Sequence, residues 1–166
     1  MMQPFPYDRP EDDSPDSGVK LRDITILLVD DDVSVRALVV ATLESQGYVV
    51  LKAFDSDQAL RLSDAHEGPI QLLITDQVMP PFMSGNELAS CLRMMRPEIK
   101  VLYISGYAAN VGVQDEVDDS AADFLPKPFA PVMLIQKVEE LTAPEAASQK
   151  ARLDGTGPES ESEPLD

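Results

Sequence analysis

The sequence predicts an α/β fold, a doubly wound sheet of five parallel strands in the order 2-1-3-4-5. Three observations carry that prediction. Strand-like and helix-like segments alternate five times within residues 23–142. The strand-like runs at 24–29, 70–75, 101–104 and 124–125 are short and rich in Val, Ile and Leu, as expected of strands covered on both faces. Alternating units of this length imply parallel strands with helices on both sides, and right-handed crossovers leave few topologies.

Each element has its own signal. After the first strand, Val35, Leu38, Val39, Thr42 and Leu43 recur at helical spacing, and Gly47 closes the segment. Residues 48–53 form a second strand. Ser56 is placed to cap a helix that carries Ala59, Leu60 and Leu62 and ends near Gly68 and Pro69. After the third strand and its loop, Ser84 or Gly85 opens a helix with Leu88, Cys91, Leu92 and Met95 on one face, stopped by Pro97. This face makes Cys91 a buried small apolar residue. Between the fourth and fifth strands, Asn110 to Ser120 is the weakest helix. It holds Gly112, Asp115, Glu116, Asp118 and Asp119, and only Val113 and Val117 form an apolar face. The last helix starts at about Pro131, with proline in the tolerated first turn, and uses Leu134, Ile135, Val138 and Leu141.

Composition narrows the function. The 166 residues carry 30 acidic and 13 basic side chains, a net charge of −17. Residues 24–141 alone hold 18 acidic and 8 basic side chains, a net −10. So acidic a body repels phosphate backbones, which argues against nucleic-acid binding. No apolar stretch approaches the ~20 residues of a spanning helix, and the proline-rich N-terminus has no apolar core of a secretory signal. One cysteine excludes an internal disulfide and fits a reducing compartment, so the expected location is the cytoplasm. Residues 1–22 and 143–166 are acidic and poor in large apolar residues, and are expected to be disordered tails around one domain. Ser160 and Ser162 among the tail acids read as solubilising spacer. His66 reads as a solvated loop residue.

The chemistry-bearing residues gather at the carboxyl ends of the strands, where ligands of open α/β sheets bind. Asp30 and Asp31 follow the first strand, Asp76 the third, Ser105 the fourth and Lys127 the fifth. In the order 2-1-3-4-5 the first and third strands are neighbours, so the three carboxylates converge and raise one another's pKa unless a cation intervenes. Mg²⁺ suits such a place, taking one or two carboxylates and completing its shell with water and phosphate oxygens. A carboxylate beside it can act as nucleophile toward phosphorus, with Lys127 and Ser105 meeting the transferred oxygens. Each feature alone has a plainer reading: helix N-terminal charge, turn chemistry, a loop serine, a solvated lysine. Their joint placement at strand ends is what selects a site.

The chain resembles a response-regulator receiver domain, the CheY-like phosphoacceptor of two-component signalling. The resemblance covers about residues 22–142 and rests on four motifs. They are Leu27-Leu28-Val29-Asp30-Asp31-Asp32; Leu73-Ile74-Thr75-Asp76-Gln77-Val78-Met79-Pro80 with Ser84-Gly85; Val101-Leu102-Tyr103-Ile104-Ser105-Gly106-Tyr107; and Ala122-Asp123-Phe124-Leu125-Pro126-Lys127-Pro128-Phe129. It implies a flavodoxin/CheY-like three-layer sandwich, with Asp76 as phosphoacceptor. It also implies that Asp30, Asp31, Asp76 and the Val78 carbonyl hold Mg²⁺, that Lys127 binds phosphate, and that the Lys127–Pro128 bond is cis. Ser105 and the aromatic Phe124 become a switch that repacks the face of the Asn110–Ser120 segment, the fifth strand and the last helix. The implied donor is a sensor histidine kinase or histidine phosphotransfer protein, and the implied chemistry is only phosphorylation and slow dephosphorylation of Asp76 itself. The downstream protein is not readable, and a phosphorylation-dependent homodimer stays open. Wording around Ser105 and Lys127 is similar to receivers of hybrid sensor kinases.

Three departures from the family pattern stand out. The loop from Met79 to Gly85 is one residue longer than usual. Val78 and Tyr107 stand where many members carry polar residues that orient hydrolytic water, an arrangement expected to slow phosphate loss. The Asn110–Ser120 segment is unusually acidic. Two other readings were weighed: a phosphate-independent scaffold on the same fold, and an aspartate-nucleophile phosphohydrolase of the haloacid-dehalogenase type. The second places an Asp-x-Asp nucleophile pair after the first strand and needs a cap; here three consecutive acids follow that strand, no cap is visible, and the best nucleophile follows the third strand. No output domain is expected after residue 142, so the chain reads as a single-domain regulator or a receiver piece of something larger.

Overall fold

Nine regular elements are described in the computed structural model, which covers residues 23–79, 83–106 and 122–144. In chain order they are β1 (Thr25–Val29), α1 (Val33–Ser45), β2 (Val49–Ala53), α2 (Ser56–Ala65), β3 (Leu72–Asp76), α3 (Gly85–Met95), β4 (Lys100–Ser105), β5 (Ala122–Pro126) and α4 (Pro131–Thr142). The strands form one parallel sheet ordered β2-β1-β3-β4-β5. Both the fold class and the strand order expected from the sequence are therefore found.

Strand alternation sorts the core into two layers. Leu27 and Val29 of β1 join Leu73, Val101 and Tyr103 on one face, beneath Ala59 of α2 and Leu88, Ala89 and Leu92 of α3. Ile26 and Leu28 join Leu72, Ile74, Leu102 and Ile104 on the other, beneath Val39 and Leu43 of α1 and Leu134 and Val138 of α4. Residues 26–29 are all 0% exposed. At about 1.5–3 kcal/mol per fully buried side chain, β1 is anchored by roughly 6–12 kcal/mol of burial. That anchoring fixes where residue 30 emerges.

The helix starts are fixed by side-chain caps. Asp32 accepts from the backbone N–H of Ser34 and Val35 at 2.8 and 3.2 Å. Asp55, not Ser56, caps α2, accepting from Gln58 N at 2.7 Å, while Ser56 is buried inside the first turn. A capping box closes the start of α3: Ser84 Oγ accepts from Glu87 N, and the Glu87 carboxylate accepts from Ser84 N at 2.8 Å. The Glu87 carboxylate also accepts from Ser84 Oγ at 2.9 Å, and its backbone and side-chain bonds from Ser84 hold it below the usual range. After α1, Gly47 turns the chain with φ of 83°, a conformation open to glycine.

Several boundaries and faces differ from the sequence reading. Helix α2 ends at Ala65, short of Gly68, where the Arg96 guanidinium takes up carbonyls in its last turn and just beyond it. It donates to Ser63 O at 2.8 Å, His66 O at 2.7 Å and Gly68 O at 2.7 Å, and to Ser63 Oγ at 3.0 Å. His66 is half-buried, its backbone tied to that clamp, rather than solvated. Leu38 and Met95 are 44% and 46% exposed, off the buried stripes of α1 and α3, and Cys91 is half-buried at the edge of its stripe. The third strand begins at Leu72 rather than Ile70, which is buried before the ladder starts. The Asn110–Ser120 segment, Pro80, Pro81, Phe82, Tyr107 and the tails at 1–22 and 145–166 lie outside the described residues. Among the described residues no helix is long and apolar enough to cross a membrane.

Candidate functional site

The three consecutive acids after β1 are held in three different environments. Asp30 is 1% exposed; its Oδ1 accepts from Asp32 N at 2.8 Å, and its carbonyl accepts from Arg36 Nη1 at 2.6 Å. Asp31 is exposed beside it. Asp32 turns away as the cap of α1, and its hydrogen bonds from Val35 and Ser34 hold its carboxyl below the usual range.

Asp76 ends β3, the neighbour of β1, and Val78 N donates to its Oδ1 at 3.0 Å. One carboxylate oxygen from each of Asp30, Asp31 and Asp76 lies within 4.8 Å of the others. Lys127 arrives from the end of β5, and its Nζ donates to Asp76 Oδ2 at 2.9 Å and to Asp30 Oδ2 at 3.3 Å. Its backbone N–H donates to Ser105 O at 2.7 Å, fastening it to the end of β4. The Lys127–Pro128 bond is cis, as the resemblance implied.

The charges do not balance: three carboxylates face one ammonium. Burial pushes the Asp30 carboxyl above its ordinary range, more than the Asp32 hydrogen bond and the attraction of Lys127 pull it down. Burial of the Lys127 amine works against its charge, yet its hydrogen bond to Asp76 and the attraction of Asp30 and Asp76 outweigh it and raise its pKa. A hard divalent cation fits this oxygen-rich, over-charged cluster. Ser105 is fully buried at the end of β4, and Phe124 on β5 is half-buried, its ring 5.2 Å from that of Tyr103 and stacked on it. Val78 is 66% exposed at the rim.

Asp30, Asp31, Asp76, Val78, Ser105, Phe124 and Lys127 thus lie at this end of the sheet or on the strand beside it. Sequence reasoning set Gly85 at the start of a helix but missed its steric role. A Cβ on Gly85 would fall 2.2 Å from the Asp76 carbonyl oxygen, and its N–H donates to Gln77 O at 3.0 Å. Only glycine lets α3 begin so close behind Asp76. Arg36 and the capping role of Asp32 were missed as well; the one advance signal was a third acid directly before a helix. A cavity of about 1120 Å³ lined by Pro69, Gln71, Lys100 and Pro144 lies at the opposite, amino-terminal end of the strands, away from these groups.

The family model described as the response regulator receiver domain matches residues 26–139. The chain belongs to that family. It is 37% identical over 116 residues to the response regulator receiver protein CpdR of Brucella abortus, covering 70% of this chain and 94% of CpdR. It is also 37% identical over 117 residues to the sensor kinase CckA of Brucella abortus, but spans only 12% of that protein. Among solved structures, a response regulator receiver protein from Sinorhizobium medicae superposes with a TM-score of 0.63 at 29% identity. That match covers 71% of this chain and 93% of the other. The chain is a receiver domain of the two-component type, related to the CckA and CpdR receivers. Such domains are in general signalling modules that bind Mg²⁺ at an acidic pocket.

Proposed function

We propose that this receiver accepts a phosphoryl group on Asp76 from a phosphohistidine of a sensor kinase or phosphotransfer protein. A carboxylate oxygen of Asp76 forms the new P–O bond as the P–N bond of the donor breaks, and the imidazole leaves. The observation that carries this reading is the Lys127 amine bridging Asp76 and Asp30 inside a cluster of three carboxylates. Val78 N holds one oxygen of Asp76 and fixes the carboxylate plane. Lys127, already charged, is positioned to pass from the carboxylate to a phosphoryl oxygen without a change of protonation. Asp30, Asp31, Asp76 and the Val78 carbonyl would hold Mg²⁺, which supplies charge neutralisation to donor and acceptor oxygens alike.

The signal follows from Ser105 and Phe124. A phosphoryl group at Asp76 gives the buried Ser105 hydroxyl a new acceptor, and Phe124 takes up the vacated space, altering the surface of β5 and α4. Only such differential contact shifts a two-state equilibrium. The kinship with CckA and CpdR receivers supports a histidine kinase as donor. The acidic body supports a protein rather than a nucleic acid as reader, in the cytoplasm.

Intact mass after incubation with Mg²⁺ and acetyl phosphate tests the reading. One phosphoryl adduct in the wild type, absent in Asp76→Ala, is expected. An adduct that survives in Asp76→Ala, or none from either acetyl phosphate or a histidine kinase, overturns it.

A further inference from the structure

Directly after the acceptor comes a residue for which the chemistry so far has no use. Gln77 is 5% exposed, and both its amide nitrogen and its amide oxygen are buried with no hydrogen-bond partner among the described residues. Buried side-chain amides are nearly always paired, so an amide with both ends unmet needs a reason. Its backbone cannot move to relieve it. Gly85 N donates to Gln77 O at 3.0 Å, and the start of α3 lies so close that a Cβ on Gly85 would come within 3.2 Å of the Gln77 Cα. On the other side, β3 pairs with β4 up to Asp76 opposite Ile104, so Gln77 and Ser105 each follow the last paired residue of that ladder.

We propose that Gln77 is a positioning residue of the acceptor site, its amide unpaired while Asp76 is unmodified and paired once Asp76 is loaded. The inference rests on the phosphoacceptor reading. The unpaired amide raises the free energy of the unmodified state. The rearrangement around Ser105 that accompanies loading reaches this amide and satisfies it. Gln77 therefore biases the domain toward the phosphorylated arrangement without touching the transferred group. An apolar residue of similar volume removes the penalty from one state and the gain from the other.

The test uses the full chain and fluoroberyllate with Mg²⁺, a phosphoryl mimic, in wild type, Gln77→Met and Gln77→Leu. Two quantities are read: the thermal midpoint without the mimic, and the mimic concentration at half-saturation. The expected result is a higher midpoint in both variants and about tenfold more mimic at half-saturation, the worth of one buried hydrogen bond to a favoured state. Unchanged or tighter half-saturation overturns the inference, since a merely structural amide would affect both states alike. A lower midpoint, or failure of the variants to fold, also overturns it, because the amide would then be paired in the unmodified state. If the wild type itself binds no mimic, the phosphoacceptor reading falls, and this inference with it.

Discussion

Replacing Gly85 with alanine sets two effects of opposite sign against each other at one methyl group. Helix propensity favours alanine by about 1 kcal/mol in a helix interior, and by less at the first helical position. The new Cβ, however, would lie 2.2 Å from the Asp76 carbonyl oxygen, 3.1 Å from its carbon and 3.2 Å from the Gln77 Cα. All three are backbone atoms, so no side-chain rotation relieves the contact. Opening it to ordinary separation means moving the first turn of α3 by about 1 Å, an overpacking that costs about 1–3 kcal/mol. The same movement weakens the Gly85 N–Gln77 O bond, worth about 1 kcal/mol. The steric terms win, and Gly85→Ala should lose about 2–3 kcal/mol. Urea denaturation with the slope held constant measures this, and phosphorylation from acetyl phosphate should slow in parallel because Asp76 is displaced. A variant as stable as wild type, or more stable, would show that helix propensity governs the site and refute the reasoning.

Asp30→Asn removes a buried charge whose carboxyl is raised by burial. Because the folded pKa lies above the unfolded one, the folded state binds the extra proton. Metal-free stability should therefore fall as pH rises from about 4 through the raised value. At neutral pH the variant should melt higher than wild type without Mg²⁺ and gain less from adding it; a lower melting point refutes this. Val78→Asn should hasten loss of phosphate from Asp76 by restoring a polar group at the exposed rim; slower loss, or a wild-type half-life of seconds with Mg²⁺, contradicts the slow-decay reading. Arg96→Ala breaks four hydrogen bonds at the end of α2 and should cost about 3 kcal/mol while leaving phosphorylation intact. Hydrogen exchange should quicken around residues 63–68, and an unchanged exchange pattern would refute the clamp.

What the sequence disclosed, and what it withheld, divides along the range of the interactions. The strands were legible because burial on both faces leaves runs such as 26–29 that no amphipathic helix produces. With strand order in hand, Asp30, Asp31, Asp76, Ser105 and Lys127 could be placed together at the carboxyl ends of the strands, since each ends a strand or follows one within two residues. Local competition was harder to read. Asp55 and Ser56 are both good caps, and only packing, which buries Ser56, decides between them. Leu38 and Met95 fit the helical period yet sit at its margin, where a few tens of degrees separate core from solvent. Gly85 and Arg96 were illegible because their partners, Asp76 and the 63–68 turn, become neighbours only once the sheet has formed.

The Lys127 amine meets Asp30 across 97 residues of chain and Asp76 across 51. The carboxylates ride on β1 and β3 at the centre of the sheet, but the amine comes in on the edge strand β5. A chain still emerging from the ribosome can therefore assemble its acids before it owns the cation that tempers them. Until β5 docks, the cluster carries one more uncompensated charge, because the Lys127 amine is not yet beside Asp30 and Asp76. On the proposed function, competence to accept phosphate thus arrives with the last strand.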